Sequence, residues 1–190
     1  MKFSAVILAG GKSSRMGRDK AFLEMDGQTL LARQIETVCA AGATEVFLSG
    51  RAEVDYSASG LPVLLDRFSD AGPLAGIHAA LAAARQPLLL VLAVDLPAMN
   101  AMFLRSLTLA SVAGGGVIPR VAGQMEPLAA LYPCSALATI EQLLLQNNFS
   151  VRQFAEACVT AGLARFEEVP ADVASLFKNV NSSADLPCLT

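Results

Sequence analysis

Residues 88–94, Leu-Leu-Leu-Val-Leu-Ala-Val, form an unbroken apolar run that stops at Asp95. Seven residues are short for a helix and far below the roughly 20 needed to cross a membrane as one. The run therefore reads as a β-strand. It has no polar alternate positions, so both its faces must be covered, which suits a parallel strand with helices on each side.

The rest of the chain can be arranged around that strand. Residues 3–9 are a second short apolar run, stopped by Gly10-Gly11. Residues 46–49 and 62–65 read as further strands. Helical spacing spans 29–41, with Leu30, Leu31, Ile35 and Val38 on one side and Gly42 as a stop. An alanine-rich helix is expected over 75–85. The second half predicts strands at 117–121 and 127–132 around a Gly123-Gln124 turn, a helix near Asn100, and helices at 134–146 and 150–161. Alternating strands and helices without a linker or a repeat predict one α/β domain over 1–190. Its three layers are an open, mostly parallel sheet with helices on both faces.

Composition removes several functions. With 54 % apolar residues the chain can bury a large core, and 14 basic against 17 acidic side chains announce neither a nucleic-acid nor a membrane partner. The N-terminus lacks the apolar stretch of a secretory signal, so a cytoplasmic location is expected. Cysteines stand singly at 39, 134, 158 and 188, with no C-x-x-C pair. His78 is the one histidine, which excludes histidine-cluster metal sites; its small-residue helical setting reads as a packed or surface position.

In open α/β sheets ligands bind beyond the carboxyl ends of strands. Those ends carry Gly10-Gly11, Asp66 and Asp95. A glycine pair lets backbone N–H groups approach phosphate oxygens. Residues 12–20 then place four cations and one anion in nine positions, Arg15 and Lys20 among them, on a protein of net charge −3. Polyphosphate capture and a solvated turn both account for this loop taken alone. It is neither a G-x-x-x-x-G-K-[ST] loop nor a G-x-G-x-x-G fingerprint. Asp95, at the mouth of so apolar a strand, calls for a cation, and Mg²⁺ with a nucleotide commonly uses one or two carboxylates plus phosphate oxygens; the alternative is a helix cap, which Asn100 can also supply. Gly72-Pro73-Leu74-Ala75-Gly76 reads as a helix start or as a loop that lets a flat base come close. Asn179 and Asn181 point the same way along an extended segment, either back to the site or towards a helix at 182–186.

Taken together and in order, these segments resemble a known family. Leu8-Ala9-Gly10-Gly11-x-Ser13-x-Arg15-Met16-Gly17-x-Asp19-Lys20 resembles the opening motif of nucleotidyltransferases with the nucleotide-diphospho-sugar transferase-like fold. The likeness continues through Asp95-Leu96-Pro97, and Gly72-Pro73-Leu74-Ala75-Gly76, Glu126-Pro127-Leu128 and Asn179-Val180-Asn181 narrow it to the molybdenum cofactor guanylyltransferases. Two departures lie on the pterin side: Glu126 stands where a less acidic residue is expected, and Ser182-Ser183 where Thr-Pro is usual.

The resemblance implies Mg²⁺-dependent transfer of GMP from GTP to the phosphate of molybdopterin, with release of pyrophosphate. The N-terminal half would bind nucleotide and the C-terminal half the pterin. By the same resemblance Leu8, Ala9, Gly10, Gly11, Lys20, Asp66, Gly72, Pro73, Leu74 and Asp95 contact the nucleotide, and Asp95 holds the metal. Arg15, Lys20 and Asp95 then serve catalysis, while Asn179 and Asn181 lie on the pterin side. A scarce pterin also suggests transient contact with other molybdenum cofactor proteins, which a pull-down with pterin-loaded partners would detect. The rival readings are a CTP-dependent cytidylyltransferase, a sugar-1-phosphate nucleotidyltransferase, and a non-catalytic nucleotide-binding regulator that leaves its nucleotide whole.

Overall fold

The strands and helices of the computed structural model, which describes residues 1–10, 19–66, 68 and 70–180, follow in chain order as β1 (Ser4–Leu8), β2 (Glu24–Met25), β3 (Gln28–Thr29), α1 (Leu30–Ala41), β4 (Glu45–Gly50), β5 (Val63–Leu65), α2 (Pro73–Ala83), β6 (Leu88–Ala93), α3 (Ala101–Ala110), β7 (Gly116–Val121), β8 (Gln124–Met125), β9 (Ala129–Pro133), α4 (Leu137–Leu145), α5 (Val151–Thr160) and β10 (Ala164–Val169). The main sheet runs β10-β7-β9-β6-β1-β4-β5, with β8 paired to β7. β1 pairs in parallel with both β4 and β6, and among the described residues β9 is the one long strand that runs antiparallel to its neighbours.

Both faces of the central strands are covered, as their sequence requires. Ala5 and Ile7 of β1 and Leu88, Leu90 and Leu92 of β6 pack into one core with Leu31 and Val38 of α1 and Leu104 and Leu107 of α3. The alternate residues Val6, Leu8, Leu89 and Val91 pack into a second core with Leu74 and Ile77 of α2, Ile140 of α4 and Phe154 of α5. Each such buried leucine or isoleucine stabilises the fold by about 2 kcal/mol relative to exposure, so the three layers follow from the composition of two strands.

Local signals set the ends of the elements. Thr29 caps α1 by accepting from Ala32 N–H, and Gly42 closes it at φ 103°, a left-handed conformation that suits glycine. Asn100 caps α3 through Phe103 N–H, which is the helix expected there. Asp26 and Gly27 both take positive φ between β2 and β3, the two-residue hairpin geometry.

Three features differ from the sequence expectation. The turn of the β7–β8 hairpin is Ala122-Gly123 rather than Gly123-Gln124, with Ala122 itself at φ 48°; an alanine gives no hint that it takes this conformation. β10 has no counterpart among the expected strands, because Arg165, Glu167 and Glu168 break its apolar pattern, as suits an edge strand. The 3₁₀ turns over Ala171–Phe177 also lack an apolar period. The helix expected at 182–186 lies outside the described residues.

Candidate functional site

From β1 the chain moves outward to β4 and β5, then returns to lay β6 on the other side of β1. The carboxyl ends of β1 and β6 therefore flank the point where strand order reverses, the place where open α/β sheets bind ligands. A cleft lies there, lined by Leu8, Ala9, Gly10, Lys20, Ser49, Asp66, Gly72, Pro73, Ala93, Val94, Asp95 and Leu128. Eight of the residues singled out by sequence meet on its wall: Leu8, Ala9, Gly10, Lys20, Asp66, Gly72, Pro73 and Asp95. Leu74 does not; its side chain is wholly buried in the core, because it sits one residue into α2 on the face against the sheet. Gly11, Arg15 and Asn181 lie outside the described residues.

Lys20 Nζ reaches Asp95 Oδ2 at 3.1 Å, with the two side chains 20 and 21 % exposed. Among the described residues no other side chain hydrogen-bonds to the Asp95 carboxylate. The Asp95 carbonyl accepts from Val180 N–H at 2.9 Å, which ties the C-terminal segment to the end of β6. Asp66, at the end of β5, has its carboxyl pKa raised by partial desolvation.

Lys20 is held by a network that its sequence neighbours do not announce. Asp19, almost fully buried, caps the 3₁₀ turn Lys20–Phe22 by accepting from Ala21 N–H at 3.0 Å. Its other oxygen accepts from the Tyr56 hydroxyl at 2.9 Å and from Arg51 Nη2 at 3.1 Å. Burial, and then the Asp19 carboxylate, push the Tyr56 phenol up to about 12, so it stays a donor. Asp19 stands in the sequence as part of a motif; nothing local shows that residues 51 and 56 fold back onto it.

The glycines flanking Leu74 have different causes. Gly72 adopts φ 58° before Pro73 opens α2. At Gly76 a Cβ would come within 2.2 Å of Ser49 Oγ and 2.9 Å of Ser49 Cβ, so this glycine allows α2 to approach β4 rather than a base to approach the loop. At Gly10, by contrast, a Cβ would make only ordinary contacts with its described neighbours, at 3.9 Å or more.

A second cavity, of about 280 Å³, shares Ala93, Asp95 and Leu128 with the cleft and adds Leu96, Glu126, Pro127, Ser150, Val151, Arg152 and Asn179. Asn179, assigned to the pterin side, is thus on a different wall from the nucleotide candidates, and Asp95 stands between. His78 lines neither space; it is buried in α2, with Nε2 3.5 Å from Glu141 and Phe68 edge-on to its ring. Among the described residues no group of three or more His, Cys, Asp or Glu side chains gathers as a metal site, and no helix is long and apolar enough to cross a membrane.

A family model described as a MobA-like NTP transferase domain matches residues 5–161. The probable molybdenum cofactor guanylyltransferase of Opitutus terrae is 41 % identical over 185 residues, covering 96 % of this chain and 92 % of the relative. Among solved structures, molybdopterin-guanine dinucleotide biosynthesis protein A from Archaeoglobus fulgidus has a TM-score of 0.70 at 23 % identity, covering 97 and 94 % of the two chains. 2-C-methyl-D-erythritol 4-phosphate cytidylyltransferase from Thermus thermophilus has a TM-score of 0.69 at 20 % identity, covering 94 and 92 %. The fold is thus similar to proteins named for different nucleotides, and the sequence likeness separates them.

Proposed function

Because the chain belongs to the molybdenum cofactor guanylyltransferases, within the MobA-like NTP transferase family, we propose that it transfers the guanylyl group of GTP to the phosphate of molybdopterin and releases pyrophosphate. One observation carries this reading beyond the family: two cavities meet at Asp95, one with Lys20 on its wall and the other with Asn179 and Arg152. A donor nucleotide in the first and an acceptor in the second bring their phosphates together at the shared wall.

The acceptor phosphate oxygen attacks the α-phosphorus, the new P–O bond forms, and the bond to the β-phosphate oxygen breaks as pyrophosphate leaves. Such transfers need little covalent help from protein; positioning and charge neutralisation do the work. The Gly10 backbone and the Lys20 ammonium, both on the cleft wall, face the triphosphate, whereas the Ala9 N–H already donates to Ser49 C=O at 2.9 Å; by the family resemblance Arg15 adds a second cation. Lys20 exchanges Asp95 for phosphate oxygens when the nucleotide enters. Asp66 and the Gly72-Pro73 segment bound the nucleoside end.

Asp95 suits a Mg²⁺ ion: it has a carboxylate oxygen without a hydrogen-bond donor among the described residues, at a place where substrate oxygens complete a shell. When bound, Mg²⁺ supplies charge neutralisation to the triphosphate. His78 takes no part, since its ring is enclosed by α2, Phe68 and Glu141. The test is pyrophosphate release in a mixture of GTP, Mg²⁺ and molybdopterin. Release in equal amount to a guanine dinucleotide product, and only with all three present, is the expected result; GTP that is bound and left whole makes the chain a nucleotide-binding regulator.

A further inference from the structure

The second cavity contains an acidic residue that the transfer chemistry does not use. Glu126 follows β8, and its backbone is pinned on both sides: its N–H donates to Pro119 C=O at 2.9 Å and its C=O accepts from Ala129 N–H at 3.2 Å. The carboxylate held there is partly buried on the cavity wall and, among the described residues, accepts no hydrogen bond. Burial raises its pKa, while the charge of Arg152, in the first turn of α5 on the same cavity, opposes that rise. A half-buried acid that no protein group donates to, and that only water can reach, gains from donors held in place by a ligand. Glu126 is therefore short of donors that a ligand can bring.

The donors are identified by the acceptor chemistry proposed above, on which this inference rests. A 2-amino-4-oxopteridine presents N3–H and a 2-amino N–H side by side, a planar pair that matches the two oxygens of one carboxylate. We propose that Glu126 selects the acceptor, its carboxylate accepting two parallel hydrogen bonds from that edge of the pterin ring. Guanine has the same edge, but Glu126 lines the second cavity and not the nucleotide cleft. With the ring anchored at Glu126, the remainder of the acceptor lies in a cavity that Asp95 also lines, where its phosphate is needed.

The probes are pterin and lumazine, which differ in having an amino or an oxo group at position 2, used as competitors of molybdopterin in the transfer assay. A site built to bond an N–H rejects the analogue lacking it. The wild-type protein should prefer pterin by about tenfold or more, and Glu126→Gln should bring the two within about twofold while raising the KM for molybdopterin about tenfold. Calorimetric binding of GTP, and its preference over ITP, which lacks the 2-amino group, should not change. Equal inhibition of the wild type by both probes, inhibition by neither, or a Glu126→Gln variant that keeps the preference overturns the proposal. A variant that loses GTP-over-ITP preference instead assigns Glu126 to the nucleotide and overturns it too. These results are distinct from failure of the acceptor reading itself, in which the wild type makes no dinucleotide from molybdopterin at all. The wild-type ratio needs no variant, so a poorly folded substitution leaves the test standing.

Discussion

Replacing Asp19 by alanine tests whether Lys20 is placed by a built device or by chance. The change deletes three acceptor contacts: to Ala21 N–H at 3.0 Å, to the Tyr56 hydroxyl at 2.9 Å and to Arg51 Nη2 at 3.1 Å. Loss of the cap costs about 1 kcal/mol. The Tyr56 hydroxyl is left buried without an acceptor, at about 2 kcal/mol. Arg51 is 30 % exposed and can turn to water, so its lost ion pair contributes about 0.5 kcal/mol. The expected destabilisation is about 3–4 kcal/mol, a fall in the urea midpoint of about 1.5–2 M for an m-value near 2 kcal/mol/M. Because the turn also carries Lys20, GTP affinity should drop about tenfold, or about 1.4 kcal/mol. Adding Tyr56→Phe removes the stranded hydroxyl, so the double variant should cost less than the two single losses together by at least about 1 kcal/mol. An Asp19→Ala protein within about 0.5 kcal/mol of wild type, or strict additivity with Tyr56→Phe, refutes the argument.

Asp95→Ala and Lys20→Ala should each lower transfer about a hundredfold, near 3 kcal/mol of transition-state stabilisation, with unfolding midpoints little changed; near-normal turnover at saturating Mg²⁺ contradicts the roles given to them. Gly76→Ala places a Cβ 2.2 Å from Ser49 Oγ, and should destabilise by about 1–2 kcal/mol even after the gain in helix propensity; Ser49→Gly should relieve part of that cost in urea titrations. Burial lifts the Glu45 pKa, but hydrogen bonds from Arg85 N–H, the Ser4 hydroxyl and the Arg85 side chain outweigh it and leave it lowered. A lowered carboxyl pKa means the stabilisation is present above the unfolded value of about 4.3 and disappears as pH falls through the folded one. Glu45→Gln should therefore cost about 1 kcal/mol at pH 7 and progressively less below about pH 4, read from denaturation midpoints across pH.

The parts of the fold that were legible share a cause: the signal was local and apolar. Residues 88–94 had to be a doubly covered strand, and the alternation of Leu88, Leu90 and Leu92 against Leu89 and Val91 between two cores is what that run required. β10 and the 3₁₀ turns over Ala171–Phe177 lie at the rim, where charges are tolerated and no period survives. The site divides in the same way. Glycines and carboxylates at strand ends pointed to the cleft because strand ends converge at a switch point. The Asp19–Arg51–Tyr56 network joins residues 32 and 37 positions apart, and only the crossing of β4 beside β1 brings them together. Leu74 is expected at the nucleotide from its place in a motif, yet a place in a motif does not say which face of α2 a residue occupies. Gly76 likewise owes its identity to Ser49 of a neighbouring strand.

In the proposed reaction this chain moves the α-phosphate of GTP, with its guanosine, onto molybdopterin. The direct measurement is label transfer: protein, Mg²⁺ and molybdopterin with α-phosphate-labelled GTP in one arm and α-phosphate-labelled CTP in the other. Label should appear in a guanine dinucleotide product from GTP, with little or none from CTP. Label from CTP would keep the cleft and the chemistry and overturn the nucleotide, while labelled GTP bound but recovered intact in the presence of molybdopterin would make the site a binding site and not a catalytic one.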